Sequence, residues 1–292
     1  MLFKGFAFRA LALMFAAAGP LSADDTVAVL SDTSGVYMEA FSAFQKGHGK
    51  KVSYFDVSKK RPVIPFGTRT VVAFGSRAAA QEYPPDVNLV YTMAPGFIKK
   101  RTEGKGATIK IGMTTPPDIF LARLREIQPS MKSLRVFWRA AGYSGLPAEY
   151  AAAAARAGLD VSVVKVKRDE ELPDMLRAAI GRTDAFWLPP DPLLISELTL
   201  SIFIKFSQSS GIPMYVSTSG LARKGACASI GIGFAQLGEA AGAAVKELHD
   251  GKKLPRAIYP EKYQLTLNGT AAKYCGLDFA PEVMGAADHY FP

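Results

Sequence analysis

Residues 133–166 read SLRVFWRAAGYSGLPAEYAAAAARAGLDVSVVKV. SLRVFW is a short apolar run of strand character, and LPAEYAAAAARAGL has helical composition with Gly158 as its stop. DVSVVKV is apolar and rich in valine, so it reads as a second strand. Strand, helix and strand in one unbroken segment make a βαβ unit, in which the helix is the crossover between two parallel neighbours.

The same grammar continues in both directions. Downstream, DEELPDMLRAAIGR reads as a helix, DAFWL as a strand, and a helix-like run follows through FIKFSQSS. GIPMYVS and ACASIGIGF are further strands, AQLGEAAGAAVKELHDG is a helix, and EKYQLTLN reads as the last strand. Upstream, TVAVLSD, KVSYFDV, RTVVAFGS and VNLVYTM read as strands, with helices in GVYMEAFSAFQK and RAAAQEY. ATIKIGM then leads into PPDIFLARLREIQPSM, where Ile119, Leu121, Leu124 and Ile127 fall at helical spacing. Two successive halves of alternating strands and helices predict an α/β chain of two lobes with parallel sheets and a cleft between them. One step is irregular. Residues 58–68, SKKRPVIPFGT, hold two prolines and no helical periodicity, so the first lobe is expected to be trimmed, with a loop where a crossover helix belongs.

The first 23 residues stand apart. Lys4 and Arg9 open them, ALALMFAAAG is a short apolar core, and PLSA closes on small residues, the pattern of a secretory signal cleaved after Ala23. Without Lys4 and Arg9 the 35 basic residues fall to 33 against 26 acidic ones, a net charge of +7. The cations are scattered and not interleaved with aromatics, which argues against a nucleic-acid groove. Cys227 and Cys275 are the only cysteines; their number permits a disulfide in an oxidising compartment, and two small buried thiols fit equally. No cysteine–histidine spacing suits a metal, and no cofactor is implied.

GIGFAQLGEAAG, residues 231–242, tempts one toward a dinucleotide loop, but the third glycine falls two positions late and the segment sits near the end of the chain. It reads instead as a helix start with small residues for close packing. No G-x-S-x-G elbow occurs, and His48, His249 and His289 adjoin no expected strand end, so no catalytic residue is assigned.

Candidate binding residues come from the carboxyl ends of the strands, where open α/β sheets hold ligands. They are Ser31, Asp32, Ser76 and Thr92 in the first half, and Trp138, Tyr143, Ser144, Trp187, Asp191, Ser217, Thr218 and Phe234 in the second. Singly, Asp32, Ser76 and Asp191 are equally residues that cap the next helix. Together, hydroxyls, carboxylates and aromatics at successive strand ends suit a small polar molecule with an apolar part.

The order and spacing of DAFWLPPDPLLIS, GIPMYVSTSGLARKGACASIGIGFAQLGEAAG and LNGTAAKYCGLDFAPEVMGAADHY resemble the TrpX-like family of ABC-transporter substrate-binding proteins. PPDIFLARLREIQPSMKSLRVFW is similar to that family's helix-plus-strand start of the second lobe. The resemblance implies the type I periplasmic-binding-protein fold, with two Rossmann-like lobes joined by three crossovers. It implies lobe 1 over 24–116 and 235–256, and lobe 2 over 117–234 and 257–292. It further implies a monomer that closes on a small molecule such as an aromatic or other amino acid and passes it to an ABC permease, or to a sensor or receptor. Asp191 would meet an ammonium group, Trp138, Trp187 and Phe234 would give stacking surface, and Tyr143 and Ser144 fall in the family's polar loop. RAAGYSG departs there from the family's acid-and-asparagine pattern.

Overall fold

The computed structural model describes residues 25–100 and 104–292. The expected signal, residues 1–23, lies outside them. In the first lobe β1 (Thr26–Leu30) is followed by α1 (Gly35–His48), β2 (Tyr54–Asp56), β3 (Thr70–Phe74), α2 (Ser76–Ala80), β4 (Asn88–Thr92) and β5 (Thr108–Ile111). The second lobe opens with α3 (Pro117–Ile127), β6 (Ser133–Trp138), α4 (Leu146–Ala157), β7 (Asp160–Lys165), α5 (Leu172–Arg177) and β8 (Ala185–Leu188). It continues through α6 (Glu197–Ser210), β9 (Met214–Val216), α7 (Ser219–Lys224) and β10 (Ala228–Gly231). Then come α8 (Phe234–His249), β11 (Ala257–Ile258), β12 (Gln264–Asn268), α9 (Gly269–Tyr274), α10 (Pro281–Gly285) and β13 (His289–Phe291).

The strands form two sheets, ordered β2-β1-β3-β4-β5-β11 and β7-β6-β8-β9-β10-β12-β13. The first is parallel throughout. The second is parallel except where β12 runs against β10. Both sheets are covered on both faces, which is why β1, β3 and β8 are buried at every residue and read as unbroken apolar runs. Alternate residues still choose their side. Leu30 and Phe74 join the layer under α1 and α8, while Val29 and Ala73 face α2. In the second lobe Trp187 joins the layer of α3 and α4, and Phe186 and Leu188 face α5 and α6.

The βαβ segment folds as its sequence indicates. α4 ends at Gly158, whose φ of 63° is the left-handed turn that stops a helix. The trimmed first lobe is also present: residues 57–69 join β2 to β3 without a helix, leaving Val63 and Phe66 exposed.

The chain passes between the sheets at residues 112–116, 232–233 and 259–263. Ala257 and Ile258, expected with the second lobe, pair instead with Lys110 and Ile111 of β5, so the last crossing falls after residue 258. A two-residue strand is too short to leave a periodic signal, which is why it escaped the sequence reading. β12 is likewise not the last strand, because residues 289–291 add β13 at its edge.

α8 returns to the first lobe and lies along α1. A Cβ on Gly238 would fall 2.0 Å from the Ala40 carbonyl oxygen, and one on Gly242 would fall 3.3 Å from the Phe44 carbonyl oxygen. Gly238 and Gly242 therefore serve the close backbone packing of α8 on α1. No helix among the described residues is long and apolar enough to cross a membrane.

Candidate ligand-binding cleft

The carboxyl ends of the two sheets face one another, and two cavities between them are lined from both lobes. The larger, 220 Å³, takes Val36 and Glu39 from α1 of the first lobe and Ser217, Thr218, Ser229, Gln264 and His289 from the second. Gly233 and Phe234, at the second crossing, complete its wall. The smaller, 50 Å³, lies by the other two crossings, among Lys110, Thr114, Tyr143, Glu149 and Tyr259.

Backbone geometry shapes the larger cavity. Thr218 is the N-cap of α7, its hydroxyl accepting the Leu221 amide at 3.4 Å. The Gly233 amide donates to Gln236 Oε1 at 2.8 Å, so the start of α8 is fixed at the cavity wall. A Cβ at Gly231 would fall 1.8 Å from the Ser217 carbonyl oxygen, which makes glycine necessary where β10 passes the end of β9. Glu39 is the one carboxylate lining this cavity, His289 is its imidazole, and neither lysine nor arginine is among its described residues. The hydroxyls of Ser217, Thr218, Ser219 and Ser229, the Gln264 amide and the apolar faces of Val36, Ile232 and Phe234 make up most of the rest. Such a lining can accept an amino group at Glu39, hydrogen-bond polar atoms and cover an apolar portion.

The smaller cavity has a different balance. Burial pushes the Lys110 ammonium below its ordinary pKa, and Nζ donates to the Phe97 carbonyl at 3.0 Å. Burial likewise raises the Tyr259 phenol.

Of the twelve residues expected from the sequence, Ser217, Thr218 and Phe234 line the larger cavity and Tyr143 lines the smaller. The other eight fall elsewhere. Ser31 is buried and accepts the Ala78 amide at 3.1 Å. Asp32 accepts the Ser34 amide at 2.7 Å, and hydrogen bonds from Ser34 hold its carboxyl below the usual range. Ser76 is the first residue of α2, Thr92 is buried with its hydroxyl 3.4 Å from the Ile111 carbonyl, and Ser144 is exposed.

Three expectations need correction. Trp187 is 1% exposed and packs between Phe120 and Tyr150, with ring centroids 4.5 and 5.5 Å away. Trp138 belongs to the same core, with the Lys165 ammonium 5.1 Å from its ring centroid. Both point from the sheet face toward its covering layer, not from the strand end into the cleft. Asp191 has no exposed surface, and its carboxylate accepts the backbone amides of Arg139, Ala140, Leu193 and Leu194 at 2.6, 2.7, 3.0 and 3.3 Å. The charge contact expected of it is already occupied by the protein's own backbone.

Glu39, Gln264 and His289 escaped the sequence reading. Glu39 sits in the second turn of a surface helix, where a carboxylate is indistinguishable from a solvated one. Gln264 and His289 open strands whose amino ends face the cleft, because β12 runs antiparallel to β10. A rule that inspects only carboxyl ends cannot find them. Cys227 and Cys275 are free thiols with their sulfurs 3.6 Å apart.

Two parallel α/β lobes, crossed three times and holding cavities between them, define the type I periplasmic-binding-protein architecture. The chain belongs to the family described as ABC transporter substrate binding protein, which it matches over residues 123–290. Among solved structures, it is similar to the ABC domain in complex with L-Trp from Streptococcus pneumonia, with 19% identity and a TM-score of 0.64. That match covers 91% of this chain and 99% of the other. A conserved domain protein from Vibrio cholerae matches with 17% identity and a TM-score of 0.63, covering 91% and 99% of the two chains. A substrate binding protein with adhesive properties from Clostridium difficile, in its ligand-free open form, gives 15%, 0.66, 91% and 98% for the same quantities. At these identities the three establish the fold. No curated protein matches the chain.

Proposed function

We propose that this protein is an exported, monomeric solute-binding protein that captures a small amino-acid-like molecule between its lobes and delivers it to an ABC importer from the periplasm. The reading rests above all on the 220 Å³ cavity lined from both lobes. A ligand touching both walls binds the closed arrangement better than the open one, and so shifts the population toward the form a permease recognises. No bond is made or broken. Ser217 and Thr218 hold polar atoms, Phe234 and Val36 cover the apolar portion, and Glu39 supplies the charge complement for an amino group. The relative from Streptococcus pneumonia that holds L-Trp supports an amino-acid-like ligand.

A second reading keeps the fold and changes the partner, so that the ligand state is presented to a sensor or receptor. The exposed Val63 and Phe66 in the loop that replaces a first-lobe helix favour it, because they alter one docking face. Co-purification with permease subunits separates the two readings.

The decisive experiment is a thermal-shift screen of residues 24–292 against amino acids, purines, short peptides and small carboxylates. A true ligand at a hundred times its Kd stabilises by about 2.7 kcal/mol. For an amine-bearing hit, Glu39→Gln is expected to weaken binding about tenfold, or roughly 1.4 kcal/mol, without moving the melting temperature of the free protein. An unchanged affinity would remove Glu39 from the site. A screen in which nothing shifts, or a ligand that is turned over, would overturn the binding reading.

A further inference from the structure

The two lobes touch directly through the backbone of two glycines, with the Ala140 Cβ and the Tyr143 ring of the second lobe alongside. Gly96 lies in the loop after β4 of the first lobe, and Gly142 in the turn after β6 of the second. The Gly142 amide donates to the Gly96 carbonyl oxygen at 3.1 Å. A Cβ on Gly142 would fall 2.2 Å from that oxygen and 2.4 Å from its carbon. A Cβ on Gly96 would fall 2.6 Å from the Ala140 Cβ. The contact therefore needs glycine on both sides.

Each loop is braced from within its own lobe. Behind Gly96, the Lys110 ammonium holds the Phe97 carbonyl at 3.0 Å, and the Phe97 ring packs edge-on to Tyr91 at 6.1 Å. Behind Gly142, the Asp191 carboxylate holds the Arg139 and Ala140 amides, and the Tyr143 hydroxyl donates to the Pro190 carbonyl at 3.0 Å. Surfaces fixed before they meet lose little conformational freedom on meeting, so a single backbone hydrogen bond and its surrounding contact suffice to bias the arrangement.

We infer that Gly96 and Gly142 form a backbone latch that biases the lobes toward the closed arrangement, which ligand then completes. The inference rests on the lobe-closing mechanism proposed above and adds the contact through which the chain closes on itself.

Gly142→Ala tests it cleanly. Gly142 lies outside the left-handed region, unlike Gly96 with its φ of 66°, so alanine at 142 is free of that backbone strain, and the three nearest atoms its Cβ would meet all belong to Gly96 across the contact. Small-angle scattering of the ligand-free protein reads the result without any knowledge of the ligand. Ligand-free wild type is expected to exchange between open and closed forms, with an average radius of gyration a little above the roughly 18 Å of a compact chain of this length. Gly142→Ala should rise by about 1 Å on that scale, and Gly142→Val by at least as much, with unchanged circular dichroism. Equal radii in the wild type and both variants would overturn the latch. A failed solute screen would leave this measurement intact, so the two proposals fail separately.

Discussion

Asp191→Ala is expected to lower the melting temperature by about 10 °C. The carboxylate is fully buried, and its two oxygens accept four backbone amides at 2.6–3.3 Å from two separate loops. Alanine leaves the Arg139 and Ala140 amides facing a void in the second lobe. Each buried donor so stranded costs about 1–3 kcal/mol, and bonds to a charged acceptor lie at the upper end of that range. A combined loss of about 4 kcal/mol follows, and a chain of this size loses roughly 2–4 °C per kcal/mol. Asp191→Asn should fall between wild type and alanine, since its one oxygen can serve one loop while its amide nitrogen meets the amides of the other donor to donor. Melting curves of the three proteins decide the matter. Should Asp191→Ala melt within about 2 °C of wild type, the carboxylate does not anchor these loops.

The fate of Asp191 shows where sequence reasoning reached and where it stopped. Strand and helix order was legible because each element carries its own periodicity: SLRVFW and Gly158 mark a strand and a helix stop without reference to the rest of the chain. The missing crossover helix was legible for the same reason, since Pro62 and Pro65 forbid helical continuity locally. The site was legible only in part. A strand-end position says that a residue stands near the cleft, but not whether its side chain faces the ligand or turns back to the backbone. Ser217 and Thr218 line the cavity, whereas Asp191, one strand over, is fully buried and satisfies four amides. Glu39 lay hidden because its place in the cavity depends on how α1 stands against the second lobe, which no local pattern encodes.

Trp187→Ala should cost about 4 kcal/mol in stability and leave ligand affinity unchanged within about threefold. Large aromatic truncations in a packed core cost about 3–5 kcal/mol, the sum of lost transfer energy and the cavity left behind. The ring is 1% exposed, tilted against Phe120 and Tyr150, and belongs to the layer beneath α3 and α4. Trp187→Phe separates packing from polarity. The indole Nε1 is buried without a hydrogen-bond partner, so phenylalanine removes an unsatisfied donor while it removes volume. The two effects oppose one another, and the loss for phenylalanine should be under about 1.5 kcal/mol. Urea unfolding measures both variants, and the affinity for any hit from the solute screen is measured beside it. A core residue moves the first quantity alone. If Trp187→Phe instead weakened binding tenfold at near-constant stability, the tryptophan would have to reach the ligand, and the placement of the cavity beside Phe234 would fail with it.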